Sequence, residues 1–142
     1  MGTLGYAVTI SLDGYVADAN GDFSWSGPSD AIFDVHVARL RQVTASILGR
    51  KTYQLMEYWE SFNEPEATEA EYEFARIWCA LAKTVVSATI ASEQLFTDRA
   101  QLVTSLDAPA VRDIVAKADG HVEIFGPTTA APAIRAGLVD VF

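Results

Sequence analysis

Gly49, Arg50, Lys51 and Thr52 directly follow the apolar pair Ile47-Leu48. They combine a permissive backbone, two cations and a hydroxyl. An apolar run ending in glycine reads as a buried strand closing in a tight turn, with Arg50 and Lys51 opening a helix. A helix start carries unpaired N–H groups and the positive end of the dipole, so cations added there make an anion site. Two other junctions share this chemistry: Val85-Val86-Ser87-Ala88-Thr89 and Ile124-Phe125-Gly126-Pro127-Thr128-Thr129. Each places glycine or small hydroxyl residues after an apolar run, where backbone N–H groups can approach phosphate closely. No G-x-G-x-x-G or Walker motif occurs, so neither a Rossmann nor a P-loop mode is supported. Taken singly, each junction is an ordinary glycine or hydroxyl turn.

The bulk numbers narrow the classes. The 142 residues are half hydrophobic and one fifth charged, which suits one globular domain and not a disordered chain. A net charge of −9 argues against nucleic-acid binding, which depends on neutralising phosphates. It leaves room for a local basic spot serving one small anion. A single cysteine, Cys79, excludes an internal disulfide and a multi-thiolate metal site, and its apolar neighbours make it a buried structural thiol. Glu64, Glu66, Glu69, Glu71 and Glu73 read as a solvated face, so no metal is expected. No apolar run approaches the length of a membrane span and no signal-peptide pattern opens the chain, so a soluble cytoplasmic domain is expected.

These junctions must be held by alternating strands and helices. Residues 4–11 form an apolar, partly β-branched run that predicts a strand, broken by Asp13-Gly14. Residues 15–28 read as a long loop carrying Phe23 and Trp25, and loops of that length are usually functional. Pro28 suits the first turn of a helix whose buried face is Phe33, Val37 and Leu40. A strand over 46–49, a helix over 51–58 and a helix from Pro65 to about Leu81 follow. Strands over 83–87, 101–104 and 121–125 alternate with a helix capped by Asp107 and stopped by Gly120. The last helix covers 128–136, with a late start expected because Pro132 is tolerable only in a first turn. The pattern predicts an α/β sandwich with parallel strands inside, whose carboxyl edge binds ligand.

In combination and order, the segments SLDGYVA, DFSW, LGRKTY, VVS and IFGPTTAAPAIRAGLVD resemble the dihydrofolate reductase superfamily. The likeness is strongest to stand-alone proteins similar to the reductase domain of riboflavin biosynthesis, and it spans nearly the whole chain. It implies a three-layer α/β/α sandwich over residues 1–142 with a largely parallel sheet. It also implies a homodimer and NADPH-dependent reduction, NADH being possible, of a pterin- or pyrimidine-like heterocycle. By the same resemblance Gly49, Arg50, Lys51 and Thr52 hold the pyrophosphate and 2′-phosphate. Ser87, Ala88 and Thr89 wall the adenosine, and Phe125, Gly126, Pro127, Thr128 and Thr129, with Ala130, form a second phosphate turn. Thr9 and Val16 flank the nicotinamide, Thr9 also facing substrate. Trp25, Pro28 and Asp30 are similar to the W-x-x-P-x-D pattern of dihydrofolate reductase. That makes Asp30 the candidate for assisting ring protonation, with substrate beneath Trp25 and Phe33. Asp30 also reads simply as the third residue of a helix capped by Gly27, and His36, farther along, as structural.

Three departures sharpen the expectation. Ala88 stands where relatives often carry arginine, leaving 2′-phosphate discrimination to Arg50 and Lys51. Gly126-Pro127 replaces a paired glycine joined by a cis bond, so a cis Gly126-Pro127 bond is expected. The sequence stops at Phe142, whereas relatives continue into further strands. A truncated sequence or a partner covering the sheet edge is therefore expected, to be separated by intact mass. A true dihydrofolate reductase and a non-catalytic nucleotide- or flavin-binding module are the other readings.

Overall fold

The computed structural model describes residues 2–142. Its centre is a five-stranded, wholly parallel sheet in the order β1-β5-β2-β3-β4. The strands are β1 (Thr3–Tyr6), β2 (Val43–Gly49), β3 (Ala82–Val86), β4 (Ala100–Val103) and β5 (His121–Phe125). Among the described residues there are five α-helices, the first four lying between strands and the last following β5: α1 (Asp30–Leu40), α2 (Arg50–Glu60), α3 (Glu69–Ala80), α4 (Ala108–Ala118) and α5 (Pro127–Arg135).

Two cores lie on opposite faces of the sheet, giving three layers. On one face Leu48 and Val85 of the strands meet Leu40, Tyr53 and Trp78 of α1, α2 and α3. On the other, Leu4, Ile47, Val122 and Ile124 meet Val111 of α4 and Ala130 and Ala133 of α5. Near-continuous apolar strands such as β2 follow from burial on both faces.

Local chemistry explains most boundaries. Thr68 and Glu71 form a reciprocal capping box that starts α3, later than Pro65, because the box satisfies two backbone donors there. Asp107 caps α4 by accepting the Ala110 N–H at 2.8 Å. That helix ends at Ala118, two residues before Gly120, with Asp119 between them taking the left-handed conformation at φ 46°. Helix α1 begins at Asp30, with Ser29 as its cap. Asp30 is thus the first helical residue and not the third, and Pro28 lies outside the helix. Helix α5 begins at Pro127 and contains Pro132 in its interior, against the expected late start. The Thr128 carbonyl that Pro132 leaves without an N–H is on an exposed residue, where water can satisfy it.

The first strand is shorter than its apolar run. It stops at Tyr6, which pairs with Ile124, because β5 ends at Phe125 and turns away. The apolar residues beyond, Val8 and Ile10, are exposed. The outer edge of β1 is not bare: Tyr6 N–H donates to the Val141 carbonyl at 2.9 Å. Leu4 N–H donates to the Asp140 carboxylate at 2.8 Å.

Candidate functional site

Strands β2 and β5 are neighbours, and Leu48 pairs with Phe125 at their carboxyl ends. The chain order reverses here, since β5 returns between β1 and β2, and such a switch point leaves a crevice open to ligand. Both strands run directly into helices, with Gly49 capping α2 and Gly126 capping α5. The result is a crevice of about 450 Å³ lined by Gly49, Arg50, Lys51, Thr52, Val86, Gly126, Pro127, Thr128 and Thr129. No side chain caps either helix, so first-turn N–H groups stay available, Pro127 alone contributing none. Two dipole ends and two cations converge where no lining residue carries a carboxylate.

The glycines set the shape. A Cβ on Gly49 would stand 2.6 Å from Thr129 Oγ1, so only glycine leaves that wall its present form. Gly126 adopts φ 86° and ψ 135°, a positive-φ region that glycine enters and residues with a Cβ rarely do. That residue makes the turn by itself, and no peptide bond among the described residues is cis. The expected cis Gly126-Pro127 bond is therefore corrected to trans.

The third junction supports the crevice from beside it. Arg50 Nη1 donates to Thr89 Oγ1 at 2.9 Å. Ser87 is buried, and its hydroxyl accepts the N–H groups of Thr89 and Ile90 at 3.2 and 3.1 Å. Ser87 is thus a builder of the turn, and Ala88 is exposed. From this junction it is Val86 that lines the crevice. The Phe125 side chain lies away from it, edge-on to Trp78 with ring centroids 6.1 Å apart.

At its other end α2 helps form a second cavity of about 390 Å³. Asp30, Phe33 and Asp34 come from α1, Tyr58 and Trp59 from α2, and Thr68, Ala70 and Glu71 from the start of α3. From Arg50 to Tyr58 the helix rises about 12 Å. The walls are aromatic: Phe33 lies 6.0 Å from Trp59 and 5.5 Å from Phe74, and Tyr58 lies 5.1 Å from Trp59, between centroids. Asp30 and Phe33 are therefore brought together, as the sequence expected. Tyr58 and Trp59 were not singled out, and Glu71 was read only as part of a solvated face; their signal was a paired aromatic two turns beyond the cations and a capping-box glutamate within an acidic run.

Trp25 is placed elsewhere. It lines a surface hollow with Ser11, Asp13, Tyr15, Ala17, Asp18 and Ala19, and its indole N–H donates to the Asp22 carbonyl at 3.2 Å. The expected roof of Trp25 and Phe33 over one ligand is not formed in this arrangement. The 7–29 segment closes its own local turns instead, Ser11 N–H bonding the Tyr15 carbonyl at 2.9 Å. Thr9 is exposed and Val16 half-buried, and neither lines the crevice or the aromatic cavity. His36 sits deeper on α1, where burial first and Arg39 second hold its imidazole below the usual histidine range. Among the described residues no group of His, Cys, Asp and Glu is arranged to hold a metal ion. No described helix is long and apolar enough to cross a membrane.

The family model of the RibD C-terminal domain matches residues 3–142. The chain belongs to the RibD C-terminal domain family. Among solved structures it is similar to a protein assigned to riboflavin biosynthesis from Shewanella sp. PV-4, at 24% identity and a TM-score of 0.69. That match covers 99% of this chain and 73% of the other. A pyrimidine reductase-like protein from Corynebacterium diphtheriae matches at 13% identity and a TM-score of 0.59, covering 99% of this chain and 72% of its own. At these identities the two structures speak for the fold. No curated protein matches the chain.

Proposed function

We propose that the protein is an NAD(P)H-dependent reductase of a planar nitrogen heterocycle, pterin- or pyrimidine-like. The observation that carries this reading is the crevice at β2 and β5, where two uncapped helix starts, Arg50 and Lys51 face one space free of carboxylates. A dinucleotide's phosphates fit such a cradle on electrostatics and on shape, since the Gly49 and Gly126 positions let backbone come close. A nicotinamide cofactor would supply the hydride. The chain's own residues do the rest. Gly49, Thr52, Thr128 and Thr129 anchor the pyrophosphate, and Arg50 with Lys51 addresses the adenosine 2′-phosphate. Ser87, Ala88 and Thr89 support the adenosine side, with Arg50 tied to Thr89.

The substrate ring occupies the aromatic cavity at the far end of α2, against Phe33 and Trp59. A C=N bond that accepts hydride leaves its nitrogen needing a proton, and Asp30 on the rim of that cavity is placed to help deliver it, directly or through water. Thr9, Val16 and Trp25 belong to the reading only if the 7–29 segment folds toward the cavity when ligand is bound. A homodimer is part of the same proposal. Ile32 and Val35 on the outer side of α1 are exposed and give such an interface apolar surface.

The test is NADPH oxidation with an aminopyrimidinone and with dihydrofolate, beside thermal shifts with NADPH, NADH and flavin. Oxidation dependent on the pyrimidinone supports the reading. Cofactor binding without turnover on either substrate replaces it with a nucleotide-binding module.

A further inference from the structure

Strand β3 ends at Val86 and β4 begins at Ala100, and the chain between them crosses over with little structure of its own. Its regular part is a single 3-10 turn, Ser92–Gln94. A connection of this length inside a compact domain needs support from outside, and such connections commonly carry function. Here the support comes from one face of α2. Arg50 and Tyr53 are three residues apart, so their side chains leave the helix on the same side. Arg50 Nη1 donates to Thr89 Oγ1 at 2.9 Å, near the start of the crossover. The Tyr53 hydroxyl accepts the Phe96 N–H at 2.6 Å, near its end. The Tyr53 and Phe96 rings stack, with centroids 4.8 Å apart and planes 11° from parallel.

Tyr53 is 1% exposed and packs in one core with Ile90 and Leu95 of the same crossover. The core asks only for a ring at that position, which phenylalanine would supply. The hydroxyl is additional. A buried phenol oxygen costs free energy unless it is paired, and this one is paired to the backbone of the segment that carries Thr89. Burial pushes the Tyr53 phenol above its ordinary value, against the opposing pull of the Phe96 N–H, so the acceptor is a neutral phenol. At the other end Ser87 Oγ accepts the N–H groups of Thr89 and Ile90. The crossover is thus held at its first turn, at two apolar side chains and at Phe96, and it cannot slide along α2 without breaking the Tyr53 bond.

We propose that Tyr53 is a positioning residue for recognition of the adenosine 2′-phosphate. By fixing Phe96 it fixes the crossover against α2, and so keeps Thr89 where it orients the Arg50 guanidinium. The hydroxyl acts through Thr89 and Arg50 and touches no ligand. This role deepens the nicotinamide-cofactor reading and rests on it for the ligand.

The experiment uses the intact chain and Tyr53→Phe, which keeps the ring and the core volume. Titration should show NADPH weakened roughly threefold to tenfold, the scale of one neutral hydrogen bond, with NADH nearly unchanged. A general loosening of the fold would weaken both cofactors alike. In a Thr89→Val background Tyr53→Phe should have no further effect on the preference for NADPH, because both changes break one linkage. Amide exchange of the free protein should lose protection from Phe96 back to Thr89 and Ile90. An unchanged NADPH-to-NADH ratio in Tyr53→Phe overturns the proposal, as do additive losses in the double variant or lost protection confined to Phe96. NADPH-selective binding that ignores Tyr53→Phe overturns this proposal alone, whereas a parent protein that binds neither cofactor overturns it together with the reductase reading.

Discussion

The Arg50 guanidinium donates to the Thr89 hydroxyl at 2.9 Å, joining the start of α2 to the turn after β3 across two neighbouring strands. One residue of the phosphate crevice is thereby positioned by a turn that does not itself line it. On the proposed reading, with alanine at position 88 and no second arginine beside them, the discrimination between phosphorylated and plain adenosine ribose falls to Arg50 and Lys51. Arg50→Ala should weaken NADPH roughly tenfold or more, the scale of a charge-assisted hydrogen bond, while NADH changes little. Thr89→Val, which only frees the guanidinium, should give a smaller loss in the same direction. Titrating both cofactors into each variant checks this, and equal losses for NADPH and NADH would remove Arg50 from 2′-phosphate recognition.

Gly49 and Thr129 face each other across the crevice, and a Cβ at position 49 would stand 2.6 Å from the threonine hydroxyl. Gly49→Ala should therefore abolish or sharply weaken cofactor binding, since Thr129 must rotate into the space phosphate needs. Adding Thr129→Ala should restore binding in part by relieving the contact. Thermal melts separate a collapsed site from a collapsed fold: Gly49 sits at φ −78°, so the substitution carries no backbone strain, and the melting temperature should fall by only a few degrees.

The sheet edge that holds these residues was legible because its signals are local. Glycine after an apolar strand, a hydroxyl in the next turn and a cation at a helix start each act within a few residues. The same holds for Asp107, whose cap was read correctly from its place before an apolar helical pattern. What stayed hidden depends on partners distant in sequence. Val8 and Ile10 are as apolar as Leu4, yet β1 stops at Tyr6 because β5 ends. Trp25 and Phe33 lie eight residues apart, but the 11–22 stretch closes on itself and keeps the indole on a separate hollow. The Gly126 turn was placed correctly but given the wrong device. A positive φ at Gly126 does what a cis bond was expected to do.

Asp30 is the first residue of α1 and shares the aromatic cavity with Phe33. A helix start favours a negative side chain by about 0.3–1 kcal/mol when exposed. Asp30→Asn should accordingly cost little stability, since asparagine is also tolerated there. Turnover should fall by well over tenfold if the carboxyl helps protonate the substrate nitrogen, with cofactor affinity nearly unchanged. An Asn variant of undiminished kcat would leave Asp30 as a helix-start residue only.

Asp140 reaches back from the final segment to accept the Leu4 N–H at 2.8 Å, while its own N–H donates to the Leu4 carbonyl at 2.8 Å. This doubled contact gives the AGLVD motif a structural purpose: it closes the outer edge of β1. A hydrogen bond to a charged acceptor contributes roughly 1.5–3 kcal/mol. Asp140→Ala should lower stability by about that much, and amide exchange at Leu4 and Tyr6 should accelerate before exchange in β2. Unchanged protection at both amides would show that the edge is held by other means.

Glu123 sits in the middle of β5 beneath α1, with Ser46 of β2 and Gly5 of β1 opposite it in the sheet. Its side chain is 2% exposed, and Arg39 Nε lies 3.1 Å from Oε1, off the line of a good hydrogen bond, so neither carboxylate oxygen has one. Burial pushes the Glu123 carboxyl above its ordinary value, against the opposing pull of Arg39 and then His121. The sign follows. Between the ordinary carboxylate range and the raised native value, the folded chain holds a proton that the unfolded chain has lost, so stability declines as pH rises through that window. His36, lowered by burial on α1, contributes with the opposite slope, but it is common to the two proteins compared. Glu123→Gln removes the titration and keeps the shape. Its melting temperature, followed from about pH 4.5 to 8, should lose the downward component that the parent shows as Glu123 ionises. The variant should gain on the parent steadily toward neutral pH, and superimposable profiles would show that Glu123 has the same proton occupancy folded and unfolded.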